Sequence, residues 1–87
     1  MFPEELDGAK VLHFTDKADF GVLEEEGQRD RTISYLAIAQ KSGDPAYYLI
    51  LCDAAYAVIA DHRFPAVEWC KTMAEMRYPD IVWNEME

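Results

Sequence analysis

Residues 46–60 read AYYLILCDAAYAVIA, and Asp53 is the only charged side chain among them. Such a run is too apolar for a sheet with one wet face. Its three tyrosines, isolated β-branched positions and central aspartate predict two strands rather than one buried helix. We place these at Tyr47–Cys52 and Tyr56–Asp61, joined tightly through Asp53-Ala54-Ala55. Upstream, Ile33–Gln40 has β-branched and aromatic residues and ends at the turn cluster Lys41–Pro45. Consecutive strands with short connections are antiparallel neighbours, so these three form a meander. Lys10–Thr15 predicts a further short strand, with Leu12 and Phe14 on one face and Val11 and His13 on the other. Residues 3–8 predict a helical turn opened by Pro3 and closed by Gly8. Residues 16–32 are the least patterned and are expected to be mostly exposed connection, with room for a short strand or a turn of helix.

Pro65 suits the first turn of a helix, and Tyr78-Pro79 ends it because a residue before proline avoids the α region. At about 100° per residue, Val67, Tyr78, Ala74, Cys70, Met73, Trp69 and Met76 share one broad apolar arc. That arc is wider than packing on one sheet requires. Trp69, Met73 and Met76 form its outer edge, where the tail Ile81-Val82-Trp83 or a second subunit is expected to dock.

Alternation along Tyr47–Cys52 puts Tyr47, Leu49 and Leu51 on one face and Tyr48, Ile50 and Cys52 on the other. Ile33–Gln40 likewise splits into Leu36 and Ile38 against Tyr35, Ala37 and Ala39. One helix covers one face. The other is left to the N-terminal segment around Leu12, Phe14, Phe20 and Leu23, to a second copy of the chain, or to a different protein. The predicted fold is α+β, an antiparallel meander of three to four strands with one C-terminal helix packed on one face. Its 87 residues form a single domain, 1–87.

The formal net charge of −9 is unevenly spread. Residues 1–30 carry nine acids and three bases, 31–63 three of each, and 64–87 five acids and two bases. Acidic flanks around a neutral centre repel nucleic acid and anionic lipid and attract basic partners. The acidic amino-terminal MFPEELDG lacks the basic and apolar parts of a secretory signal, and residues 46–60 fall short of a bilayer span. We therefore expect no membrane association and a cytoplasmic location. Cys52 and Cys70, eighteen apart, lack the close spacing of a zinc or redox pair and are expected to be free, buried thiols.

Candidate chemistry is thin. There is no nucleophile elbow, no glycine-rich phosphate loop and no spacing that points to a cofactor or metal. Asp61 and His62 are adjacent and face opposite ways in a strand, a poor arrangement for shared ligation. The strongest electrostatic feature is Glu24-Glu25-Glu26 with Asp19 upstream, suited to steering a basic partner. The sequence reads as a small acidic protein-interaction domain, homodimeric, without an evident catalytic role. Its candidate binding residues are Asp19, Glu24, Glu25, Glu26, Trp69, Met73 and Met76. Two alternatives are an acidic inhibitor or immunity-like protein that holds a basic partner, and a small metal-dependent hydrolase using Asp53, Asp61 and His62.

Overall fold

Asp7 and Gly8 both take positive φ, 48° and 79°. They join β1 (Glu5–Leu6) to β2 (Ala9–Thr15) in a two-residue hairpin turn. An Asp-Gly pair favours this geometry because its backbone twist matches that of the flanking strands. The register Leu6↔Ala9 and Glu5↔Lys10 closes the hairpin. The helical turn expected over residues 3–8 is thus a strand and a turn. Pro3 and Gly8 suit the ends of a helix, but the two positive φ values require a hairpin.

The computed structural model describes residues 2–23, 31–78 and 80–86. Beyond the first hairpin the elements are β3 (Val22–Leu23), β4 (Arg31–Thr32), β5 (Tyr35–Lys41), β6 (Tyr47–Cys52), β7 (Val58–Phe64), α1 (Val67–Arg77) and β8 (Trp83–Glu85). The class is α+β, as expected, but the antiparallel sheet has six strands rather than three or four. Its order is β1-β2-β5-β6-β7, and β8 shares the outer edge of β2 with β1. β3 and β4 pair separately within the stretch expected to be connection. The extra strands escape periodicity because they are two or three residues long.

β5, β6 and β7 form the predicted meander, with β5 and β7 shifted towards the C-terminus relative to expectation. The predicted faces of β5 and β6 hold. Leu36, Ile38, Leu49 and Leu51 face the helix with Cys70 and Ala74, while Ala37, Ala39, Ile50 and Cys52 line the opposite face. In β2 the alternation breaks at a bulge between Val11 and His13. Val11 and Phe14 consequently share one face, and His13 pairs with Ile38 of the helix-facing set. An inserted residue shifts every later side chain to the other face, so the pairing of Leu12 with Phe14 is lost.

The face opposite the helix is closed from within the chain. Phe2 and Leu6, each 5% exposed, lie over Ala9, Ala37 and Ala39. The Phe2 ring stacks on Phe14 (centroids 4.9 Å) and meets Tyr35 and Tyr56 edge-on at 5.6 and 5.3 Å. Small side chains in the sheet leave the room that these rings fill. Of the expected cover, Phe14 packs in this cluster and Leu12 does not, Phe20 joins the helix-side cluster against Tyr78, and the side chain of Leu23 lies outside the described residues.

α1 starts after an extended Ala66 without a side-chain cap and ends at an extended Tyr78, whose N–H donates to the Ala74 carbonyl at 2.8 Å. Cys70 and Ala74 form its fully buried stripe; their small size lets the helix lie close on the sheet. The tail does not dock on the outer edge of the helix. Instead β8 pairs with β2, and Ile81 and Trp83 join the helix-side cluster from the sheet edge. The buried indole N–H of Trp83 has no acceptor among the described residues. No described helix is long and apolar enough to cross a membrane.

Because Phe2 closes one whole face, Phe2→Ala should cost about 3–5 kcal/mol, the range for removing a buried aromatic ring. Val82→Ala, at a site 70% exposed, should cost under about 0.5 kcal/mol. Urea denaturation of both variants checks this, with Phe2→Leu falling between them. Equal midpoints for Phe2→Ala and Val82→Ala would mean that Phe2 does not seal that face.

Candidate functional site

Beyond β2 the chain leaves the regular ladder but stays tied to it. The N–H groups of Ala18 and Phe20 donate to the carbonyls of Ser34 and Ile33, each at 3.0 Å. The Leu36 N–H donates to the buried Thr15 Oγ1 at 3.0 Å. These bonds hold residues 15–20 against residues 33–36, facing the end of α1 and the segment leading into β8. Asn84 Nδ2 donates to Asp16 Oδ1 at 3.1 Å and ties the two segments together. A groove of about 490 Å³ lies between them. Its floor includes Phe20 and Tyr78, whose rings meet edge-on at 5.8 Å.

Asp16, Asp19 and Asp80 line this groove, with Arg77 as the only opposing charge among the lining residues. Asp19 is held as the anchor of a short turn: its Oδ1 accepts the Gly21 N–H at 3.0 Å, and Gly21 has φ 96°. Asp80 takes φ 65°. The groove thus pairs apolar ring surface with a carboxylate rim. That combination suits a side chain with an aliphatic stem and a cationic head.

Of the predicted site residues, Asp19 stands in the groove. Glu24, Glu25 and Glu26 lie outside the described residues. Trp69 and Met76 are 57% and 75% exposed on the outer flank of α1, and Met73 is half-buried between them. The structure therefore separates Asp19 from the helix stripe. Asp16, Asp80, Phe20 and Tyr78 are site residues that the sequence does not single out. They converge only through long-range packing, and no local spacing announces them.

Asp53 is committed to a turn. Its Oδ1 accepts the N–H groups of Ala55 and Ala57, both at 2.9 Å, and Tyr56 takes φ 64° to close the loop. Asp61 and His62 sit opposite Ile50 and Leu49, residues of the two different faces. Among the described residues no three His, Cys, Asp or Glu side chains gather as a metal-holding group. Cys52 and Cys70 are free and buried on opposite sides of the sheet. Burial pushes their thiols up to about 12 and about 11. Burial also lowers the His13 imidazole, reinforced by the nearby Lys71 ammonium and opposed by Glu85.

A second polar cluster stands at the β5–β6 turn. The Tyr48 hydroxyl donates to Asp44 Oδ2 at 2.6 Å, the Ala46 N–H to Oδ1 at 2.9 Å and Arg63 Nη2 to Oδ1 at 3.3 Å. Lys41 Nζ lies 4.6 Å from the centre of the Tyr48 ring. The Tyr48 bond chiefly, then the Ala46 bond, hold the Asp44 carboxyl at about 2. Every Asp44 carboxylate oxygen has a partner inside the cluster, so it serves the hairpin rather than a ligand. No family model, curated protein or solved structure matches the chain.

Two outcomes follow from these environments. Native Cys52 and Cys70 should resist a thiol reagent at neutral pH and react fully in denaturant, because the thiolate is the reactive form. Fast labelling of either in the folded protein contradicts the burial. The depressed carboxyl of Asp44 stabilises the fold above its ordinary range, and this stabilisation is lost as pH falls from about 4 towards about 2. Asp44→Asn should flatten that acid limb of a denaturation-midpoint series and leave the neutral slope unchanged.

Proposed function

We propose that this chain is a non-catalytic, acidic interaction domain whose groove seats a lysine or arginine from a basic protein. The observation that carries this reading is the groove between residues 15–20 and 77–82. There three aspartates line the same groove as the Phe20–Tyr78 ring pair. An aliphatic stem can lie on the rings, and its cationic head reaches the aspartates. The net charge of −9 raises the local concentration of a cationic partner over a longer range. Glu24–Glu26 closely follow the groove-lining segment in sequence and carry three further negative charges.

An inhibitor that holds a cationic enzyme in check is the biological form this reading takes most naturally. The hydrolase alternative has less support, since Asp53 is committed to its turn and Asp61 and His62 diverge. A reducing compartment such as the cytoplasm suits two unpaired thiols.

Calorimetric titration with a short oligoarginine peptide tests the proposal. Binding should weaken steeply with salt, and the triple change Asp16→Asn, Asp19→Asn, Asp80→Asn should weaken it about tenfold. The control Glu68→Gln with Glu75→Gln on α1 should shift it less than about twofold, as expected of exposed charges away from the contact. Equal losses in both variants would show general electrostatic attraction and remove the groove from the argument. Loss only on changing Glu24–Glu26 to glutamine would move the site to those residues.

A further inference from the structure

We infer that β7 is a self-pairing edge, joining two copies of the chain into one continuous antiparallel sheet with their α1 helices side by side. This surface is separate from the acidic groove. β7 ends the sheet, and no described strand pairs with its outer edge. Its seven residues, VIADHRF, therefore leave outward backbone groups free for pairing.

Symmetry and charge select one register. Directly opposed residues in an antiparallel pair lie on the same face, so a two-fold axis between two copies of β7 must pass through a residue. An axis at Asp61 opposes two carboxylates, and one at Arg63 opposes two guanidinium groups. An axis at Ala60 sets Asp61 against Ile59, beside the irregularity where β6 and β7 shift register. An axis at His62 sets Asp61 against the partner's Arg63 twice over, Ala60 against the partner's Phe64, and His62 against its own copy. Asp61, His62 and Arg63 are exposed, and Arg63 Nη2 reaches Asp44 at 3.3 Å with 62% of its side chain accessible. Arg63 can thus keep Asp44 and take a second carboxylate. The charges that discourage other registers favour this one.

The helix stripe lies on the matching side. About 100° around α1 from the buried Cys70, Lys71 lies on one flank and Trp69 on the other. Tyr78 is on the Lys71 flank and packs on Phe20, beyond the end of β2. Lys71 also acts on His13 of β2. That flank therefore points along the sheet towards β2. The opposite flank, carrying Trp69, Met73 and Met76, points towards β7. Pairing at β7 brings the two exposed apolar stripes towards each other across the axis, where each gains cover that its own chain does not provide.

Charge reversal tests the register directly. By sedimentation over a dilution series, wild-type protein should be dimeric. Asp61→Arg and Arg63→Asp should each be monomeric, since each opposes like charges across the axis. Mixing those two variants should give a heterodimer, because one copy then presents arginine at both positions and the other aspartate at both. Each of the two opposed pairs across the axis is again of opposite charge. Trp69→Glu should weaken the dimer without unfolding the chain, checked by circular dichroism. A wild-type monomer at millimolar concentration overturns the proposal. So does a dimer that survives Asp61→Arg or fails to re-form on mixing the two variants. Oligoarginine binding is read separately, so either proposal can fail alone.

Discussion

β5 and β6 bury side chains on both faces, and the rest of the chain is arranged to cover them. Leu36, Ala37, Ile38 and Ala39 in β5 and Leu49 to Cys52 in β6 are all buried. A domain this small has little material for two covers. In β5 the large side chains, Leu36 and Ile38, lie on the face that meets a helix through the small residues Cys70 and Ala74. The other face carries Ala37 and Ala39 in β5 and Ala9 in β2, so its cover must bring the bulk itself. Phe2, Phe14, Tyr35 and Tyr56 do so as one aromatic cluster. The size asymmetry between the faces is what lets one helix and one short N-terminal hairpin suffice.

This division explains which features were legible in the sequence. The faces of β5 and β6 and the helix arc follow from periods of two and 3.6 that run for several residues. The bulge in β2 interrupts a period after too few residues to leave a trace. β1 and β8 are shorter than two full alternations and exist because β2 offers them an edge. Phe2 near the start of the chain carries no periodicity, and its burial is decided by the alanines that pair beneath it from distant positions. Asp7-Gly8 was the one local signal available for the first hairpin, and its turn chemistry outranks the helix-like flanks of Pro3 and Gly8.

The site divides along the same line. Asp19 and the stripe of Trp69, Met73 and Met76 could be named from local pattern. The groove could not, because Asp16 and Phe20 meet Tyr78 and Asp80 only after β8 returns to β2. Two other aspartates, Asp53 and Asp44, serve the turns of the sheet. Asp53 binds the backbone of its loop, and Asp44 gathers Tyr48, Ala46 and Arg63. With both oxygens engaged, the Asp44 carboxylate closes its turn and has little left to offer a ligand.

The charge distribution separates the two surfaces we propose. A chain with a net charge of −9 resists self-association wherever its acidic flanks approach each other. Residues 31–63 are neutral, with three acids and three bases, and they include β5, β6 and nearly all of β7. Of these three strands only β7 lies at the edge of the sheet. Two copies can therefore approach along β7 with least repulsion, and Asp61 and Arg63 compensate each other there. On α1, Glu68 and Glu75 lie beyond the Lys71 flank, away from the Trp69 stripe. The acidic groove lies towards β2, where on our proposal it would draw in a cationic partner and turn away a second acidic copy. On these proposals, one polarity running across the sheet from β2 to β7 would give its two sides different partners.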